Sequence, residues 1–170
     1  MSNRERSGWR DSDLSARHRT WGPVPMTDLD DMVTSAGNGL DDVAWTTMEY
    51  QLPNYPVALI EYKFRRDLAG AVDTMTGPIR ALVELGRRAE VGVWIVNYWH
   101  DDGIDWSFFV RSAIADSKGC HMDEIQYVTW LYSLRGYKMP VAQARHLSER
   151  MERERLQRSQ RSQTRLPGMP

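Results

Sequence analysis

The single cysteine of this 170-residue chain, Cys120, has no partner for an internal disulfide, and no Cys-x-x-Cys pair or His/Cys cluster offers a zinc donor set. A glycine-rich phosphate loop and a nucleophile elbow are also missing, which removes the usual anchors of P-loop and serine-hydrolase chemistry. No stretch approaches the roughly 18 consecutive apolar residues of a membrane span, and residues 1–20 lack an apolar signal core. The expectation is a protein of a reducing cytoplasm, without a membrane. Excess charge is lacking too: 22 basic against 23 acidic side chains leave a net charge of −1, which excludes a uniformly basic nucleic-acid binder.

The charge that is present is unevenly spread. Residues 1–20 carry five arginines against three acids, and residues 145–165 carry seven against three, leaving a central body of net charge −7. An acidic body with basic ends suits a metal site flanked by phosphate-contacting segments, and equally an ordinary acidic domain with a solvated terminal helix. Length and 41% hydrophobic content suit one domain with a core. We divide the chain into an α/β domain over 1–140, a charged C-terminal helix over 141–160 and a disordered Gln/Ser/Arg/Pro tail over 161–170.

Periodicity and turn residues predict a mixed sheet with strands near 27–33, 45–51, 57–63, 91–99 and 105–111. Helices are predicted near 11–20, 77–90, 121–135 and 141–160. The class is α+β or α/β, a central mixed β-sheet flanked by helices. Trp21 reads as a core anchor. The helix from Gly77 offers Ile79, Leu82, Val83 and Leu85 as its apolar face, and the last helix a thin seam of Val141, Ala144, Leu147, Met151 and Leu156. His100-Asp101-Asp102-Gly103 is first a turn between two strands, with metal ligation the lesser reading.

Chemistry concentrates where the apolar run Pro56-Val57-Ala58-Leu59-Ile60 ends in Glu61-Tyr62-Lys63. On a strand Glu61 and Lys63 share a face, roughly 6.5–7 Å apart at their Cα atoms, while Tyr62 points away. A carboxylate that binds a cation and a lysine that orients a water would then share one site. Upstream, Asp28 and Asp30 would share a face if their segment is extended, and hard cations need several converging oxygens. Glu49 on the preceding strand is a further candidate, depending on register. Arg17, His18 and Arg19, just before the acidic pair, are candidates for phosphate contact or simple surface residues.

Arg17-His18-Arg19 with Trp21-Gly22, Asp28-Leu29-Asp30 and the strand Pro56 to Lys63 together resemble the PD-(D/E)xK nuclease superfamily, and within it small phage-encoded resolvase and endonuclease-like proteins. The resemblance covers roughly residues 8 to 135. It implies a restriction-endonuclease-like fold and cleavage of DNA dependent on Mg²⁺ or Mn²⁺. Asp28, Asp30 and Glu61 would be metal ligands, with Asp30, Glu61 and Lys63 catalytic and Arg17, His18 and Arg19 on nucleic acid. A homodimer with two sites would suit a structure-specific enzyme. The long spacer from Asp30 to Glu61 leaves open which of Asp28, Asp30 and Glu49 pairs with Glu61. A second expectation is a catalytically silent protein of the same fold that binds DNA or a host protein.

Overall fold

The computed structural model describes residues 12–22, 26–28, 44–51, 55–69, 77–101, 103–114 and 118–164. Its elements run α1 (Ser12–His18), β1 (Met26–Asp28), β2 (Ala44–Gln51), β3 (Tyr55–Phe64), α2 (Gly77–Ala89), β4 (Gly92–Asp101), β5 (Ile104–Ser112), β6 (Cys120–Asp123), α3 (Glu124–Leu134) and α4 (Val141–Thr164). The six strands form one sheet in sequence order. All neighbours are antiparallel except β3 and β4, whose parallel pairing needs a crossover, supplied by α2. The protein is thus α+β, a mixed sheet flanked by helices.

Register follows from residue type. Pro56 has no N–H to give the ladder, and the β2–β3 pairing slips there, between Glu49↔Ala58 and Tyr50↔Pro56. At the β4–β5 turn, the Gly103 N–H donates to His100 Nδ1 at 2.8 Å and Trp106 Nε1–H to the Gly103 carbonyl at 2.8 Å, so His100 serves the hairpin. Strand β6, which takes up the first residues of the helix predicted near 121–135, adds an edge to the sheet and runs directly into the Asp123 N-cap of α3. Asp123 accepts from the Gln126 N–H while the Gln126 side chain accepts from the Asp123 N–H, a reciprocal capping box.

Alternation along β3, β4 and β5 divides two faces. Ala58, Ile60, Tyr62, Val96, Tyr98, Trp106, Phe108 and Val110 form the main core with Leu14, Trp21, Tyr127, Val128, Leu131 and Leu147, so α1, α3 and α4 share one side of the sheet. Phe108 stacks on Tyr127 with centroids 3.9 Å apart, and the Tyr62 and Tyr127 hydroxyls meet at 2.6 Å. The opposite face carries Leu59, Val93 and Ile95, covered by Ile79 and Leu82 of α2. Leu85, expected on that apolar face, is instead exposed, because the buried stripe runs from Ile79 and Leu82 to Gly86, which lies against Val93.

Helix α4 belongs to the fold and continues to Thr164, past the point where composition predicted disorder. Its inner side is not the thin seam expected. Val141 is 85% and Leu156 57% exposed, while Leu147 is buried and the neighbouring inward groups are charged. Fully buried Glu124, the first residue of α3, accepts from Arg17 Nε and Nη2, Trp21 Nε1 and Arg150 Nη2, each at 2.7 Å. Arg17 also binds Glu154 at 2.5 and 2.8 Å. Two cations and two anions therefore join α1, α3 and α4. Further along, Arg155 reaches Asp105 at 2.8 Å, and Arg158 pairs with Asp101 and Asp105. Arg145 pairs with Glu149, whereas Arg153, the partner four residues beyond, bonds only the Glu149 carbonyl.

Candidate functional site

Strand β3 delivers Glu61 and Lys63 to the face opposite the main core, as the alternation predicts. The Lys63 ammonium lies 3.9 Å from Glu61 Oε1, and the side chains keep only 14% and 8% of their exposure. Lys63 stands opposite Asn97 in the parallel register, and Glu61 opposite Ile95. Asn97 is 1% exposed, its Nδ2 donates to the Leu68 carbonyl at 2.7 Å, and its Oδ1 has no hydrogen-bond partner among the described residues. An acceptor left unsatisfied in the interior costs on the order of 1–3 kcal/mol unless a ligand uses it. Glu61 and Asn97, on adjacent strands and two residues out of step, lie about 8 Å apart by strand geometry at their Cα atoms.

The same face continues onto β5. Ile95 stands opposite Arg111, and Asn97 opposite Phe109. Burial lowers the Arg111 guanidinium's pKa, and the charge of Arg65 lowers it further. Arg111 thus stands in the row of Glu61, two strands away, and Arg65 follows Lys63 by two residues.

The acidic partners proposed for Glu61 do not fall in its row. Asp28 stands opposite Thr47, and Thr47 opposite Ile60; Glu49 stands opposite Ala58; Glu61 stands opposite Thr46. The Asp28 position is thus one residue and the Glu49 position three residues out of step with Glu61, odd offsets that place both in rows of the other sheet face. Asp30 lies outside the described residues. Among the described residues no group of three or more His, Cys, Asp and Glu side chains is placed to hold a metal.

The basic triplet is also reassigned. Arg17 is 8% exposed: burial opposes its charge, but the hydrogen bonds to Glu124 and Glu154 outweigh that and raise its pKa. His18 is 5% exposed, its ring centroid 4.9 Å from that of Trp21, and burial with the charge of Arg135 pushes its pKa down to about 3. Neither faces a solvent-borne phosphate. Only Arg19 of the three is exposed.

Asn97, Arg65 and Arg111 were the residues that pattern reading missed. One signal was available for Asn97, the lone polar residue interrupting the apolar run from Val91 to Trp99. A buried carboxylate and an orphaned amide oxygen suit a hard cation that keeps most of its waters and completes its shell with substrate phosphate, as Mg²⁺ commonly does. Compared with protein-family models, with curated proteins and with solved structures, the chain matches none. Among the described residues no helix is long and apolar enough to cross a membrane.

Proposed function

We propose that the chain is a metal-dependent DNA endonuclease of the restriction-endonuclease-like type, with its phosphodiester site on the sheet face of Glu61 and Lys63. The observation that carries the reading is the buried Glu61–Lys63 pair beside the unsatisfied Asn97 Oδ1. Glu61 and Asn97 would hold Mg²⁺ or Mn²⁺. That ion would supply charge neutralisation at phosphorus and acidify a bound water. Lys63, within reach of Glu61, orients the attacking water and stabilises the developing charge. Arg111 and Arg65 bind the non-bridging phosphate oxygens. A symmetric homodimer would present two such sites, the arrangement that paired cuts in branched DNA require.

The register of Asp28 and Glu49 favours a second reading, a catalytically silent protein that binds DNA through the same cationic face. Labelled duplex, four-way-junction and single-stranded DNA, incubated with Mg²⁺ or Mn²⁺, separate the two. The endonuclease reading expects cutting that falls at least about 10²-fold in both Glu61→Ala and Lys63→Ala. Binding without cutting under either metal overturns it in favour of the silent reading.

A further inference from the structure

The row that begins at Lys63 does not stop at Asn97. Register carries it through Phe109 on β5 to His121 on β6, so Lys63, Asn97, Phe109 and His121 lie on one line across four adjacent strands. At about 4.8 Å per strand the line is roughly 14 Å long and ends at an edge strand. The burial pattern of β5 shows what lies above it. Trp106, Phe108 and Val110 are buried on the core face, whereas Ser107, Phe109 and Arg111 on this face are half-exposed. Helix α2 covers the portion over Leu59, Val93 and Ile95, and the Leu68 carbonyl lies against the buried Asn97 amide.

Phe109 is held in place. Its ring centroid lies 4.7 Å from that of exposed His121, and its edge rests on the backbone of Gly119, where an added Cβ would come within 2.4 Å of the ring. An aromatic ring kept half-buried on this face, two residues from Arg111 and in line with Lys63, has the composition of a base-stacking platform. Cationic groups follow the backbone and π-faces take the bases. A closed duplex keeps its bases stacked on one another and has none to offer this ring. A single strand does.

We infer that the sheet face around Phe109 binds single-stranded DNA, with a phosphate at Arg111 and an unstacked base on Phe109. The inference rests on the phosphodiester-site reading of Glu61 and Lys63, and it names the substrate class: DNA with a single-stranded segment beside the cut.

The test uses the full chain in Ca²⁺, with fluorescence anisotropy of labelled oligothymidine of about twelve nucleotides and of a duplex of equal length. Phe109→Leu keeps apolar volume against Gly119 without a π-face, and Phe109→Tyr keeps the face. The expected result is tighter binding of the single strand than of the duplex, about a tenfold loss in Phe109→Leu for the single strand alone, and wild-type affinity in Phe109→Tyr. Unchanged single-strand affinity in Phe109→Leu overturns the inference, as does equal loss on duplex. Tighter binding of oligouridine overturns the assignment to DNA. Failure of the underlying reading looks different: Phe109-dependent binding without cleavage in Mg²⁺ sinks the endonuclease, while cleavage indifferent to Phe109→Leu sinks only the platform.

Discussion

Replacing Glu124 with glutamine removes one charge and almost no volume from the most enclosed polar site in the described chain. The carboxylate accepts four hydrogen bonds at 2.7 Å, three of them from the Arg17 and Arg150 guanidinium groups. A glutamine amide accepts through one oxygen only and turns an N–H₂ toward cations that also donate. Glu154 alone then balances two guanidinium groups whose side chains keep 9% and 13% of their exposure. Breaking a buried pair by removing one partner costs about 3–5 kcal/mol; because Glu154 stays and is 21% exposed, the lower end, about 3 kcal/mol, applies. For a chain of this length that lowers Tm by roughly 6–12 °C. Urea denaturation and thermal melts of wild type and Glu124→Gln measure it. The paired replacement Arg17→Met with Glu124→Leu, which leaves Arg150 facing Glu154, should recover at least about half of the loss. A Glu124→Gln variant within about 0.5 kcal/mol of wild type would refute the claim that this network holds α1, α3 and α4 together.

His18 predicts a pH dependence. Its folded pKa of about 3 lies below the usual 6.5, so below about pH 6.5 the unfolded chain binds a proton that the folded chain refuses, and stability falls with pH until about pH 3. Chemical denaturation should show about 2 kcal/mol lost to this group between about pH 7 and pH 5. The loss should vanish in His18→Phe, and an unchanged slope there would contradict the assignment. Gly86→Ala sets helix propensity against packing. Propensity favours alanine by about 1 kcal/mol, but its Cβ would come within 2.3 Å of Val93 Cγ2 and 3.1 Å of the Val91 carbonyl, so we expect a net destabilisation of about 1–3 kcal/mol by urea denaturation. At the site, Asn97→Ala should slow Mg²⁺-dependent cleavage about tenfold or more at subsaturating metal and recover partly as metal is raised; a metal-independent defect would argue against ligation.

Much of the architecture was legible because apolar period and turn chemistry agree locally. The proline-bounded hairpin of β2 and β3, the central strand through Val93 and Val96, and the amphipathic α2 all follow from residues near in sequence. Glu61 and Lys63 share a face by strand alternation, which needs no long-range information. Whether Asp28 or Glu49 would join them depended on pairing register across two strands, and a one-residue offset reverses a face. Arg17 reads from sequence as a phosphate contact or a surface residue because burial of a charge is decided by distant partners, here Glu124, 107 residues away, which also binds Arg150, 26 residues further on. Likewise Asn97 becomes a site residue only when β3 lies beside it and Leu68 takes its amide hydrogen.

Divalent-cation binding tests the proposed site most directly, and paramagnetic Mn²⁺ makes it measurable by titration with electron paramagnetic resonance. The account predicts one Mn²⁺ per chain with a Kd on the order of millimolar, as one carboxylate, one amide oxygen and waters would give, and its loss in Glu61→Gln. Mn²⁺ binding of undiminished strength in Glu61→Gln, or none at all in the wild type, would contradict a metal site on this face.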